Sequence, residues 1–216
     1  MAVTFDVVPA TQADLAAGAR LMAASFAEPM LPIFHDSTSE SMMAYRASQL
    51  QRFLVAQAQG THPPTRFLVA RDRDAHADEP LLGLVVWQVL HEPQVEGSQD
   101  SEKGGVLPKT APMPHDSDEE AFAALKREAQ AALDRCTQGR PVCYVPYLIV
   151  APHAQRRGVG AALMARALAH AKEGGRLCYL DAAPTPSAEP FYRKLGFVAH
   201  GWFGSTVQLL AMTWEM

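Results

Sequence analysis

Residues 147–160 read YLIVAPHAQRRGVG and combine an apolar strand, a basic turn and a glycine-rich helix start. The run 148–150 predicts the strand, and Gly158 and Gly160 begin the helix. The first backbone N–H groups of a helix have no partner within it and carry partial positive charge. Because glycine lets an anion approach the backbone closely, and two arginines precede Gly158, this stretch predicts a pyrophosphate site.

The motif differs from the two best-known phosphate-binding motifs. A P-loop requires a Lys-Ser or Lys-Thr pair after its glycines, and the dinucleotide fingerprint requires Gly or Ala where this chain has Leu163. The pattern here is Gln155-x-x-Gly158-x-Gly160. It resembles the acyl-CoA pyrophosphate loop of the GNAT superfamily of acetyl-CoA-dependent N-acetyltransferases. A surface turn with solvated arginines is the alternative interpretation of this stretch taken alone.

A second motif, FYRKLGF at residues 191–197, strengthens the resemblance. It is similar to the short helix and helix–strand corner of GNAT enzymes, in which a tyrosine precedes a Leu-Gly-Phe turn. It also follows the first motif by one strand and one turn, as in that superfamily. The matched region runs from Tyr147 to Trp202, and Leu180 to Pro184 resembles a fungal-type branch of small GNAT proteins.

The resemblance assigns roles to residues of this chain. Tyr192 matches the general acid that protonates the departing thiolate, and Thr185 stands where the family often has an asparagine that binds pantetheine. The cosubstrate implied is acetyl-CoA or another short acyl-CoA, with no metal and no covalent acyl-enzyme. The positions that match the binding of the pantetheine arm and the pyrophosphate are Leu148, Val150, Gln155, Arg156, Arg157, Gly158, Val159, Gly160 and Ala161.

The general base that deprotonates the acceptor amine is not assigned by the sequence. An ammonium group has no lone pair for attack, so a base is required. The strand before the helix offers Tyr144 and Tyr147, and the end of a preceding strand offers His91 and Glu92. Asp181 is a further candidate, although a carboxylate at a strand end is more often structural. All of these alternatives stay open.

The expected fold is of the α/β (α+β) class. The order of elements and the resemblance together predict the GNAT acyl-CoA N-acyltransferase fold, a mixed but mostly antiparallel sheet of six to seven strands flanked by helices. In that fold the central strand pair splays apart. Pro146 lies within the predicted strand 142–150, and proline is tolerated in a sheet only at an edge or a bulge.

The whole chain, residues 1–216, is predicted to form a single domain. Its cofactor-binding and catalytic core is expected at residues 147–202. The segment 92–117 is rich in proline, glycine and polar residues and predicts a mobile loop insertion. Ser37 and Ser117 are predicted to cap the helices that follow them.

Composition narrows the functional classes. A formal net charge of −4, without a basic stripe, argues against nucleic acid as a partner. No secretion signal or membrane-spanning run is recognised, and three cysteines without metal-type spacing fit a reducing compartment. We therefore expect a cytoplasmic protein, with the nucleus left open.

The leading functional hypothesis is an N-acyltransferase that acts on a small-molecule or peptide amine by direct attack in a ternary complex. The alternative is a non-catalytic acyl-CoA-binding regulatory module that has lost turnover. A nucleotide phosphotransferase is disfavoured, because no Lys-Ser or Lys-Thr follows the glycines. Neither a monomer nor a homodimer is favoured by the sequence.

Overall fold

The structure is a computed structural model that describes residues 4–61, 63–73, 81–91 and 107–215. Short 3-10 turns precede the first and fourth helices. The helices and strands within the described residues are β1 (Phe5–Pro9), α1 (Leu15–Phe26), α2 (Glu40–Gln59), β2 (Thr65–Asp72), β3 (Gly83–Leu90), α3 (Glu119–Thr137), β4 (Val142–Val150), α4 (Val159–Glu173), β5 (Leu177–Ala182), α5 (Ala188–Lys194), β6 (Val198–Phe203) and β7 (Leu209–Trp214).

The seven strands found in the described part of the chain form one sheet in the order β1-β2-β3-β4-β5-β7-β6. Neighbouring strands are antiparallel except for β4 and β5, which are parallel. The predicted class, a mixed and mostly antiparallel sheet flanked by helices, is confirmed. Strand β4 lies at the centre of the sheet, directly before the glycine-rich start of α4.

The parallel pair separates along its length. Strands β4 and β5 pair only from Val142 to Tyr144 on one side and from Leu177 to Tyr179 on the other, although β4 continues to Val150. We call the opening beyond this pairing the fork. The splay that the fold class predicts is therefore present, and it leaves backbone groups of β4 unpaired on the side facing β5.

A bulge in β4 accommodates Pro146. Val86 pairs with Tyr147 and Gln88 pairs with Tyr144, so two residues of β4 oppose the single residue Trp87. Proline has no N–H to donate to the ladder, and a bulge removes the need for that hydrogen bond. Pro146 thus marks the bulge, one of the two placements that its sequence position allowed.

The helices cover opposite faces of the sheet. Gly18 of α1 lies so close to α2 that an added Cβ would be 2.7 Å from Leu50 Cδ1 and 3.5 Å from Leu84. The adjacent Gly83 faces α4, where a Cβ would lie 3.0 Å from Leu163. Since neighbouring residues of a strand point to opposite faces, α1 and α2 lie on one side and α4 on the other. Aromatic and aliphatic contacts join α3 to α1 and α2.

Two helix caps differ from the prediction by one or two residues. Ser39, not Ser37, accepts the backbone N–H of Met42 and begins α2. Asp118, not Ser117, accepts the N–H of Ala121 at 2.8 Å and begins α3. The observed cap lies two positions closer to the helix in α2 and one position closer in α3, and capping depends on that spacing.

Residues 92–106 of the predicted insertion lie outside the described residues. The following segment contacts α2: Arg52 donates to the Pro108 carbonyl at 2.8 Å, and the Ala111 N–H donates to Ser48 at 2.9 Å. This part of the insertion is therefore attached to the helical face. None of the helices in the described ranges is long and apolar enough to cross a membrane.

Candidate functional site

A cleft of about 530 Å³ opens where α4 begins, between the end of β4 and helix α5. It brings together all of the sequence-predicted site residues except two, Arg157 and Val159. Those that line it are Leu148, Val150, Gln155, Arg156, Gly158, Gly160, Ala161, Thr185 and Tyr192. Residues up to 44 positions apart in the chain thus contribute to one surface.

The start of α4 has the geometry of an anion site. Arg156 and Gly158 both have left-handed backbones, with φ of 59° and 86°, which turns the chain sharply into the helix. The first intrahelical bond runs from the N–H of Ala162 to the Gly158 carbonyl. The N–H groups of the preceding turn therefore have no partner within the helix and are available to a bound anion.

The two predicted residues outside the cleft lining are placed differently. The side chain of Arg157 is exposed to solvent, so it is free to approach an anion only from the outside. Val159 is 1% exposed and packs in the core beneath Gly83, because position 159 belongs to the buried stripe of α4. Only the backbone N–H of Val159 can serve the anion site.

Helix α5 supplies a wall of the cleft that the sequence analysis did not predict. Phe191 packs over the start of α4, where a Cβ on Gly160 would lie 3.3 Å from its ring. Ala188 precedes Tyr192 by four residues and therefore shares its helix face, and this spacing was the available signal. The additional lining residues are Ser187, Ala188, Pro190, Phe191 and Lys194.

Tyr192 lies between two aromatic rings. The centroids of Phe191 and Phe197 are 5.1 Å and 5.6 Å from that of Tyr192, both in edge-on orientations. Burial raises the pKa of the Tyr192 hydroxyl, and the nearby Cys178 thiol raises it further. The hydroxyl is therefore protonated at neutral pH, and no described residue forms a hydrogen bond with it, which leaves its proton available to a ligand in the cleft.

Asp181 lies at the fork, on the sheet face opposite the cleft. The Tyr179 hydroxyl donates to its Oδ1 at 2.6 Å. Burial raises the pKa of Asp181 to about 6, against the opposing effect of hydrogen bonds from Tyr179 and Tyr144. Because pairing between β4 and β5 ends at Tyr144 and Tyr179, this carboxylate is two residues beyond the last paired position.

The other base candidates are less suited to accepting a proton. His91 is exposed at the end of β3, with a left-handed φ of 57°, and Glu92 lies outside the described residues. Burial raises the pKa of Tyr147, and it raises that of Tyr144 well above the usual value. A phenol with a raised pKa is protonated at neutral pH and cannot act as a base.

The cysteines lack the setting of a nucleophile. Cys143 and Cys178 are fully buried, and the pKa of Cys178 is raised well above its ordinary value by interaction with Cys143 and by burial. A buried thiol with a raised pKa is unreactive, because the thiolate is the nucleophile. All three cysteines are free, and the described residues contain no cluster of potential metal ligands.

Comparison with known proteins finds one family model that matches part of the chain. Residues 116–199 match the family model described as an acetyltransferase (GNAT) domain. This segment contains β4, the start of α4, the fork and Tyr192. Among curated proteins, no sequence is significantly similar to the chain.

Solved structures of similar fold cover almost the whole chain. One, from Corynebacterium glutamicum, is named as belonging to the group "histone acetyltransferase HPA2 and related acetyltransferase". It has 22% identity, a TM-score of 0.54 and coverage of 100% of this chain and 97% of that one. Another is the PaiA N-acetyltransferase from Thermoplasma acidophilum in complex with coenzyme A, with 14% identity, a TM-score of 0.59 and coverage of 99% of each chain. YncA from Salmonella typhimurium, solved with acetyl-CoA, has 15% identity, a TM-score of 0.54 and coverage of 98% and 93%. At these identities the likeness establishes the fold.

Proposed function

We propose that the chain transfers an acetyl or other short acyl group from an acyl-CoA to a primary amine, because residues 116–199 match the model of a GNAT acetyltransferase domain. The observation that carries the proposal is the position of the cleft, which joins the anion site of α4 to the fork and to Tyr192. Structures of similar fold contain coenzyme A or acetyl-CoA. The acceptor is a small-molecule or peptide amine.

The cleft fits an acyl-CoA in size and chemistry. Its volume of about 530 Å³ falls within the range of small-molecule sites. The start of α4, with Arg156 beside it, offers N–H groups and positive charge to a pyrophosphate. Beyond Tyr144, the unpaired edge of β4 can form strand-like hydrogen bonds with an extended arm such as pantetheine. A bound acyl-CoA supplies an activated acyl group as its thioester.

Tyr192 is proposed as the general acid. Its raised pKa keeps the hydroxyl protonated at neutral pH, and it lines the cleft on the same sheet face as α4. When the carbon–sulfur bond breaks, the hydroxyl donates its proton to the departing sulfur. Proton donation of this kind by a positioned side chain typically contributes about 10²–10⁴-fold to a rate.

Asp181 is proposed as the general base. Its pKa of about 6 leaves it ionised, yet more basic than an ordinary aspartate, at neutral pH. It accepts one proton from the ammonium group of the acceptor, and the lone pair released on nitrogen forms the new bond to the acyl carbon. As the tetrahedral intermediate collapses, the nitrogen loses its second proton to water and the electron pair of the carbon–sulfur bond leaves with sulfur. The acid and the base lie on opposite sheet faces with the fork between them, an arrangement that suits direct transfer in a ternary complex.

The second candidate function is a non-catalytic acyl-CoA-binding module. Thr185 favours it, because this residue lines the cleft where the family often has an asparagine that binds pantetheine. A threonine hydroxyl offers fewer hydrogen-bonding groups than an amide, so cofactor contacts at this position are reduced.

One experiment separates the two functions. The full chain is incubated with acetyl-CoA and a panel of amino acids, polyamines, arylamines, aminoglycosides and lysine peptides, and acylated products are detected by mass spectrometry. Calorimetry measures acetyl-CoA binding in parallel. Acylated product supports the transferase; binding without any product, together with unchanged binding by the Asp181→Asn variant, supports the regulatory module. Absence of binding contradicts both.

A further inference from the structure

An arginine is buried among aromatic rings on the face that carries Asp181. Arg46 of α2 is only 5% exposed. Its guanidinium carbon lies 4.9 Å from the ring centroid of Phe34, 5.6 Å from that of Phe26 and 5.8 Å from that of Tyr45. Attraction to these ring faces offsets part of the cost of burying the charge.

The guanidinium lacks a counter-ion within the described residues. Its Nη1 donates to Gln49 Oε1 at 3.1 Å, but Nε is buried without an acceptor. No described carboxylate forms an ion pair with it. Burial lowers the pKa of Arg46, yet an arginine side chain remains charged. A buried charge without a partner is costly, and arginine is retained where planar, bidentate recognition of a carboxylate is required.

Arg46 is connected to the fork through Tyr147. The guanidinium carbon of Arg46 lies 5.6 Å from the ring centroid of Phe26. Tyr147 also packs on Phe26, with ring centroids 6.0 Å apart. Tyr147 and Tyr144 face the same side of the sheet, and the Tyr144 ring lies 6.0 Å from that of Tyr179, whose hydroxyl donates to Asp181. A cation and an anion therefore lie on one sheet face, with tyrosines between them.

We infer that the acceptor is an amino acid, meaning a small primary amine that also carries a carboxylate. The carboxylate binds the free N–H edge of Arg46, and the amine lies toward Asp181. This inference rests on the proposed transferase function and names its substrate class. Polyamines and aminoglycosides carry positive charge without a carboxylate, so they leave Arg46 unpaired and are repelled by it.

The test uses probes that resemble the product and need no turnover. Calorimetry measures the binding of N-acetylated amino acids, covering all side-chain types, to the full chain with coenzyme A present. The same N-acetylated amino acids as primary amides serve as uncharged counterparts. We expect the best acid to bind about 10–100-fold more tightly than its amide, the range typical of a hydrogen bond to a charged group.

Three variants assign the preference to Arg46. Arg46→Met should abolish the difference between acid and amide, whereas Arg46→Lys should retain only part of it, because lysine offers a point charge without a planar fork. Arg20→Met on α1 removes an exposed positive charge and serves as the control. Coenzyme A affinity and the unfolding midpoint of each variant show whether the fold is intact.

The outcomes distinguish the inference from the function on which it rests. Equal affinity for acids and amides in the parent protein overturns the inference, whether or not any variant folds. Acylation of amines without a carboxylate, at rates equal to those of amino acids, also overturns it and leaves the transferase intact. Acid-selective binding without acylation of any amine supports the carboxylate site and contradicts the transferase. If the Arg46→Met variant still binds the acids more tightly than the amides, Arg46 does not bind the carboxylate and its role is purely structural.

Discussion

Replacing Asp181 with asparagine should stabilise the protein and abolish acyl transfer together. Burial raises the pKa of this carboxyl group from 3.8 to about 6, which means that the folded state disfavours its ionised form. Asparagine has nearly the same shape and cannot ionise. It therefore removes both the energetic cost and the proposed base.

The magnitude follows from the linkage between protonation and folding. The native carboxyl group binds its proton more tightly than the unfolded one, so stability is lost as the pH rises from 3.8 to about 6 and stays lower above that range. At about 1.4 kcal/mol per pH unit the full cost is about 3 kcal/mol. Part of it is already present at pH 4.5, so the stability gained by Asp181→Asn should be about 2 kcal/mol larger at pH 8 than at pH 4.5.

The comparison between two pH values isolates ionisation from other effects of the substitution. Asparagine also changes the hydrogen bonds from Tyr179 and Tyr144, but the part of that change that depends on ionisation is already contained in the native pKa of about 6. Urea denaturation followed by tryptophan fluorescence gives the free energies of unfolding. Asp134→Asn, which removes an exposed carboxylate on α3, controls for the loss of one negative charge.

Two results would refute the reasoning. A stability gain that is equal at pH 8 and pH 4.5 would show that the Asp181 carboxylate is not penalised by burial. Undiminished acylation by Asp181→Asn would show that another group, or water, deprotonates the amine. In the parent protein the transfer rate should also fall as the pH drops through about 6, and this fall should be absent in any residual activity of the variant.

Three further predictions concern other parts of the structure. Ala161→Glu should weaken acetyl-CoA binding, measured by calorimetry, by more than about 100-fold. The fold should be preserved, because a carboxylate is favourable in the first helical turn, but this carboxylate occupies the anion site. Ala161→Gln should reduce the acetyl-CoA affinity less, and equal losses of affinity would contradict an electrostatic role. Tyr192→Phe should retain acetyl-CoA affinity and lower turnover by about 10²–10⁴-fold in steady-state kinetics, and a rate equal to that of the parent would make Tyr192 a packing residue. Asp14→Ala should reduce the free energy of unfolding in urea by about 1–3 kcal/mol, because the 2% exposed Asp14 accepts the Thr11 N–H and pairs with the partly exposed Arg71; an unchanged free energy of unfolding would contradict this reasoning.

The side of the cleft proposed to bind the cofactor was largely predictable because its residues are local in sequence. The anion site depends on consecutive residues around Gly158, and Tyr192 belongs to a recognisable corner motif. Even there, Val159 shows the limit of a motif: its place in the buried stripe of α4 removes its side chain from the cleft. A motif identifies backbone positions more reliably than side-chain directions.

The proposed acceptor side was not predictable because its groups are distant in sequence. Arg46 belongs to α2, whereas Tyr144 and Asp181 come from two different strands. Their proximity depends on strand register and on the packing of α2 against the sheet. Sequence periodicity identified the helix that contains Arg46 but contained no signal that its charge would be buried without a counter-ion among the described residues.

The bulge at Pro146 shifts the phase of side-chain alternation in β4. In a regular strand, Tyr144 and Tyr147 would point to opposite faces, because their separation is odd. The extra residue opposite Trp87 places both phenols on the face of Asp181, while Leu148 and Val150 still line the cleft. Deleting one residue from the bulge would reverse the direction of every side chain in the part of β4 on one side of the bulge. Either one of the two phenols or the cleft-lining aliphatic residues would then point to the opposite face of the sheet. The length of this strand is therefore as strictly constrained as the identity of its residues, and a one-residue deletion should be more damaging here than most substitutions.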